Sequence, residues 1–88
     1  MNKYKELTGY LFSNCLLLLR ARLDLTQEKM AEQLRITPRA YRELESGRNT
    51  CSGTTFLFFL TLIDENDLDG LLKEFRRKVA ELEENELA

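Results

Sequence analysis

The chain has 88 residues, of which 43% are hydrophobic and 32% are charged, a composition typical of one soluble globular domain. Histidine is absent, and two cysteines cannot supply the four ligands of a structural zinc site, so we expect no catalytic site, no metal and no cofactor. The apolar runs fall well short of the ~20 residues that cross a bilayer. We therefore expect a cytoplasmic protein that is not an enzyme and keeps its two thiols reduced.

Apolar residues recur at spacings of three and four, which predicts five helices and no strand. The first helix is predicted over about residues 3–23, with Gly9 weakening its first half. Its inward-facing residues are predicted to be Phe12, Leu16, Leu19 and Leu23.

The second and third helices are short, and each begins with a capping residue. Thr26 is a good N-cap for a helix that runs to about Leu34. Thr37 followed by Pro38 starts the third helix, because proline at the first helical position loses no backbone hydrogen bond. This helix is predicted to run to residue 46, where Gly47 supplies a left-handed stop.

The last two helices follow a loop over residues 48–51. Ser52 is predicted to cap a fourth helix that extends to about Ile63. Asp67 is predicted to cap a fifth helix from about Leu68 to Leu82 or beyond.

The segment from residue 26 to residue 50 meets the demands of two short helices that cross steeply about a tight turn. Ala31 is small where the second helix of the pair crosses the first. Polar side chains occupy the start of the second helix, where they stay exposed. The apolar residues that plug the joint are Met30, Leu34, Ile36, Tyr41 and Leu44.

At these positions the chain resembles the Cro/lambda-repressor-like (XRE) helix–turn–helix family of phage and bacterial regulators. Arg20, Gln27, Ala31, Glu45 and Gly47 stand in the family's register, and the resemblance covers about residues 11–63. It implies an all-α, five-helix, lambda-repressor-like domain. The residues' own spacing and charge, rather than the resemblance, predict an amphipathic C-terminal helix and acidic tail over 67–88. The departures from the family pattern are Arg35 in place of the turn glycine, Tyr41, Cys51 and Gly53.

The resemblance implies a sequence-specific regulator of double-stranded DNA, a repressor that reads the major groove with its third helix, about 38–46. Arg20 and Glu45 resemble the family's structural ion pair. The residues expected to read bases are Thr37, Arg39, Arg42 and Glu43. The residues expected to contact phosphates are Gln27, Arg48, Asn49 and Thr50.

Plainer interpretations stay open for several of these residues. Arg39 can pair with Glu43 one turn later, and Glu43 can serve only to orient an arginine. Thr37 can be a helix cap alone, and the 48–50 loop can simply be solvated.

The chain has more apolar surface than one five-helix core requires, since the fourth helix is apolar on nearly all sides. The excess favours a homodimer, although the fifth helix could instead fold back within one chain. The residues expected at the dimer surface are Phe58, Leu62, Leu72, Phe75 and Val79.

Residues 64–88 carry nine acidic and four basic side chains, which suggests a possible protein partner for the tail. The alternative function is therefore a protein-interaction module, or an antitoxin-like protein, with weak or no independent DNA binding.

Overall fold

A computed structural model describes residues 2–87 of the chain, and the elements in that range are five helices without a strand. This confirms the predicted all-α fold. No helix within it is long and apolar enough to cross a membrane. The helices are α1 (Lys3–Leu23), α2 (Gln27–Leu34), α3 (Pro38–Glu45), α4 (Gly53–Leu60) and α5 (Glu65–Leu87).

Side-chain caps fix where the first four helices begin. Asn2, Thr26, Thr37 and Ser52 each accept a hydrogen bond from the backbone N–H three residues later, at 2.9–3.2 Å. Each bond satisfies one of the donors that a helix start leaves unpaired. The caps predicted at Thr26, Thr37 and Ser52 are confirmed.

The predicted boundaries between the last two helices are wrong by a few residues. α4 ends at Leu60 rather than about Ile63, and Thr61 is its C-cap. The cap of α5 is Asp64 rather than Asp67, because the Asp64 Oδ1 accepts from the backbone N–H of Asp67 at 2.8 Å. The Asp67 Oδ2 lies 3.4 Å from the backbone nitrogen of Asp64. This reciprocal capping box lets the helix begin at Glu65, one turn earlier than predicted.

One hydrophobic core joins α1, α2, α3 and α4. Leu23, predicted to face inward, is 41% exposed, because it lies in the last turn of α1, just before the chain leaves the helix at Asp24. Cys15 and Cys51 are free and half-buried, and burial raises the pKa of each thiol. The buried core residues are Phe12, Leu16, Leu19, Met30, Ala31, Leu34, Tyr41, Leu44 and Phe59.

α1 passes very close to the end of α3, and Gly9 makes this approach possible. A Cβ atom on Gly9 would lie 2.7 Å from the carbonyl oxygen of Gly47. Gly47 itself has φ +81°, the left-handed stop that the sequence predicted. Next to this contact, the Ser13 hydroxyl donates to the carbonyl oxygen of Glu45. Gly9 thus allows two backbones to meet, and α1 continues through it without a break.

α5 lies antiparallel along α1 and is pinned to it at both ends. The Arg22 guanidinium is 2.8 Å from the Asp67 carboxylate at one end, and this contact lowers the pKa of Asp67. At the other end, the Tyr4 hydroxyl donates to Glu83 at 2.9 Å, and Lys3 pairs with Glu86. The fifth helix does fold back within the chain, but it packs along α1 rather than along α4.

Candidate nucleic-acid interface

The turn between α2 and α3 is closed by hydrogen bonds at the end of α2. Arg35 has φ +59°, a left-handed conformation that costs a non-glycine residue about 1–2 kcal/mol. The backbone N–H of Arg35 donates to Glu32, and that of Ile36 donates to Ala31 at 3.0 Å. The Arg35 guanidinium lies over the Phe58 ring, 4.4 Å from its centre. A cation–π contact therefore accompanies the arginine that stands where the family has glycine.

A buried carboxylate on α3 connects three helices. The Glu45 oxygens accept from Nε and Nη2 of Arg20 on α1, at 2.9 and 3.0 Å. They also accept from Nε2 of Gln27 on α2 at 3.0 Å and from the Tyr41 hydroxyl at 2.5 Å. We call Arg20, Gln27, Tyr41 and Glu45 the carboxylate network. Arg20 and Glu45, for which the resemblance implied an ion pair, are its centre.

The network sets the ionisation of its members. Burial alone would raise the pKa of Glu45, but the hydrogen bonds from Arg20, Tyr41 and Gln27 outweigh burial and leave that pKa below its ordinary value. Burial and the bond to Glu45 raise the pKa of Tyr41, so its phenol stays protonated and acts as a donor. The carboxylate is ionised and fully hydrogen-bonded, which is the condition for burying a charge without a large cost.

The outer side of α3 carries two arginines that have no side-chain partner among residues 2–87. Arg39 and Arg42 are exposed, and neither forms an ion pair or side-chain hydrogen bond to any residue in 2–87. Glu43 is paired with Arg48, with 3.6 Å between Oε2 and Nε, rather than with Arg39. Thr37 is engaged as the cap of α3. Both guanidinium groups are therefore available to an external acceptor.

The remaining candidate residues lie around this surface, although not all at one place. A cleft of about 390 Å³ separates α3 from the start of α4, and Asn49 and Thr50 in the loop after α3 line it. Arg48 bonds the Ser46 hydroxyl at 3.2 Å on the same loop. Gln27 stands apart at the start of α2, with one amide N–H used by Glu45. The base-readout candidates that also line the cleft are Thr37, Arg39 and Glu43.

Sequence reasoning missed part of the carboxylate network. The apolar pattern predicts Tyr41 only as an apolar plug, and the resemblance implies Gln27 only as a phosphate contact. The available signal was spacing, because Tyr41 and Glu45 are four residues apart and lie on one face of a helix. A buried tyrosine also needs a partner for its hydroxyl, and a carboxylate one turn away provides one.

Two short helices joined across a tight turn, with polar residues exposed on the second, define a helix–turn–helix domain. A family model described as helix-turn-helix matches residues 16–60, just over half of the chain. The chain belongs to this XRE-type family, whose domain binds DNA. Comparison with curated proteins found no match, and comparison with solved structures found none either.

Proposed function

We propose that this protein is a sequence-specific regulator of transcription, a repressor of bacterial or phage origin that places α3 in the major groove of an operator. The observation that carries the proposal is the pair of exposed arginines, Arg39 and Arg42, without internal partners among the described residues. Occupancy of the operator would then block polymerase.

Arg39 is the main candidate for base readout. It lies in the first turn of α3, the part of a recognition helix that reaches furthest into a groove. A guanidinium there can donate two hydrogen bonds to guanine O6 and N7, a contact worth about 1–3 kcal/mol of discrimination. Thr37 and Arg42 stand beside it, and Glu43 orients Arg48.

Phosphate contacts would come from both sides of α3. Arg48, Asn49 and Thr50 are exposed in the loop that follows it. Gln27 lies at the start of α2, where backbone N–H groups and the helix dipole attract an anion. These contacts would supply affinity that falls with salt and carries little sequence information.

Two copies would act together, because a single small module makes few contacts with DNA. A homodimer with two-fold symmetry places two recognition helices about 34 Å apart, one turn of the duplex, on a palindromic operator.

The alternative is a protein-interaction module that keeps the fold without binding DNA. Exposed Tyr10 and Leu18, which line one cleft between α1 and α5, favour it, since contiguous apolar surface often marks a protein partner. The acidic tail argues less for such a partner, because Glu83 and Glu86 already bond to α1.

Selection from a random DNA library, followed by a salt titration, tests the proposal. Arg39→Ala should lose preference at one base pair and weaken binding to the selected site by about 5- to 150-fold, which corresponds to ~1–3 kcal/mol. Arg48→Ala should weaken binding to all sequences alike and reduce the salt slope by about one. The control is Arg77→Ala, which removes an exposed arginine of α5.

Two outcomes would overturn the proposal. One is no binding of the wild type to any duplex at ~50 mM salt, where phosphate contacts are strong. The other is an Arg39→Ala variant that selects the same operator as the wild type.

A further inference from the structure

The first half of α1 runs beside the loop that follows α3. The Ser13 hydroxyl donates to the carbonyl oxygen of Glu45. One turn earlier in α1, a Cβ atom on Gly9 would lie 2.7 Å from the carbonyl oxygen of Gly47 and 4.0 Å from that of Asn49. As the chain leaves α3 and enters the loop, it therefore passes back along α1 toward the amino-terminal end of that helix.

Lys5 is the next residue on this face of α1. It lies four residues before Gly9 and three before Thr8, and residues at these spacings are neighbours on a helix surface. Thr8 and Thr50 line one groove, which places this side of α1 next to the end of the same loop. The Lys5 side chain therefore stands beside residues 48–50, where the proposed function has three of its phosphate contacts.

The charge of Lys5 is not neutralised within the described chain. Lys5 is exposed, and it forms no ion pair with any residue in 2–87. The residues three and four positions later on its face are uncharged. Lys3 faces another way, because it pairs with Glu86 and lines a cleft together with Lys78 of α5. Two lysines in the same turn of α1 therefore belong to different surfaces.

The loop beside Lys5 has little positive charge of its own. Asn49 and Thr50 are neutral, and Arg48 lies 3.6 Å from the carboxylate of Glu43. A protein with a net charge of −2 can bind DNA only if its cations are grouped where the duplex lies. An ammonium group at Lys5 raises the positive charge at this position.

We propose that Lys5 binds a phosphate of the DNA backbone and extends the contact with the duplex along the first turns of α1. The proposal rests on the proposed function, because it adds a contact to the same DNA-facing surface. It gives a role to a residue outside the segment that the family model matches, residues 16–60. An ammonium binds a phosphate as a point charge, and such a contact supplies affinity without reading bases.

A salt titration of the full chain on its selected operator tests the contact. Each phosphate contact contributes about 0.9 to the slope of log K against log salt concentration. Lys5→Ala should therefore make the slope shallower by about 0.9 and weaken binding about 15-fold at ~50 mM salt but only about 4-fold at ~200 mM. Lys5→Arg keeps the charge and should restore the wild-type slope.

Lys3→Ala is the matched control. It removes the same charge two residues away, on a face turned to α5, and should leave the slope unchanged. A selection carried out with Lys5→Ala should return the wild-type operator, because a phosphate contact carries no sequence information. Ethylation of the operator phosphates locates the contact. One phosphate per copy whose ethylation weakens binding of the wild type should have no effect on binding of Lys5→Ala.

Equal losses from Lys3→Ala and Lys5→Ala would overturn the proposal, because net charge alone would then explain both. An unchanged slope for Lys5→Ala, a failure of Lys5→Arg to restore it, or an ethylation pattern identical to that of the wild type would overturn it as well. The proposed function is judged separately. If Arg39→Ala and Arg48→Ala behave as expected and Lys5→Ala does not, the regulator assignment stands and the Lys5 contact falls. If the wild type binds no duplex, both fall.

Discussion

Replacing Gly9 by alanine changes the free energy of unfolding in two opposite ways, through helix propensity and through tertiary packing. Gly9 lies inside α1, and alanine at an interior helix position is ordinarily more stable than glycine by about 0.5–1 kcal/mol. The new Cβ atom would stand 2.7 Å from the Gly47 carbonyl oxygen, which is too close for either backbone to stay in place.

The packing cost should exceed the propensity gain. The obstacle is the backbone of Gly47, held in the left-handed conformation that ends α3, and not the movable end of a side chain. Overpacking of this kind costs about 1–3 kcal/mol. We therefore expect a net loss of about 1 kcal/mol in the free energy of unfolding, which lowers Tm by roughly 4–8 °C in a domain of this size.

Thermal and urea unfolding of Gly9→Ala and Gly70→Ala measure the effect against a matched control. A Cβ atom on Gly70, in α5, meets nothing within 4 Å, so Gly70→Ala should raise Tm by a few degrees. Gly9→Ala should also weaken DNA binding, because α3 must move to make room. A Gly9→Ala protein that melts at or above the wild-type temperature would refute the reasoning.

Three further changes test the carboxylate network and the left-handed residues. Tyr41→Phe removes one donor to Glu45 and should cost about 1–2 kcal/mol in urea unfolding, whereas an unchanged midpoint would contradict that bond. Folding lowers the pKa of Glu45. The ionised carboxylate therefore stabilises the folded protein above pH ~4.3, and this stabilisation is lost as the pH falls through the pKa of the folded state. Glu45→Gln should therefore be less stable at neutral pH and lose less stability on acidification, as acid titrations followed by circular dichroism would show. Asp24→Gly removes the strain of a φ of +55° and should raise the free energy of unfolding by about 0.5–1 kcal/mol. Arg35→Gly should raise it by less, because this change also removes the contact with Phe58. An equal gain from both variants in thermal melts would contradict this.

The sequence determined the helices because their signals are local. Thr26, Thr37 and Ser52 each stand directly before an amphipathic segment, and capping needs only neighbours in the chain. Asp64 and Asp67 are equally good caps by residue type, but only Asp64 is followed three residues later by a carboxylate that completes a capping box with it, a local signal that the prediction of Asp67 overlooks.

The missed features depend on contacts between distant residues. By sequence alone, Gly9 is only a position that weakens a helix. Its role in the close approach of α1 to the end of α3 depends on its contact with Gly47, 38 residues later. The pairing of Glu43 with Arg48 rather than Arg39 depends on the path of the loop after α3. The packing of α5 along α1 is accompanied by ion pairs at both ends of α1, and apolar spacing alone does not show which helix α5 packs against.

The carboxylate network holds α3 in a fixed position before any DNA binds. With α1, α2 and α3 all bonded to Glu45, the backbone of α3 is preorganised, so on the proposed function little backbone entropy is lost when this helix binds DNA. Adjustment between the two molecules then falls to the exposed side chains of Arg39 and Arg42 and to bending or twisting of the duplex. Operators should therefore be distinguished partly by how easily their untouched base pairs deform, so that flexible steps such as TA bind more tightly than stiff ones.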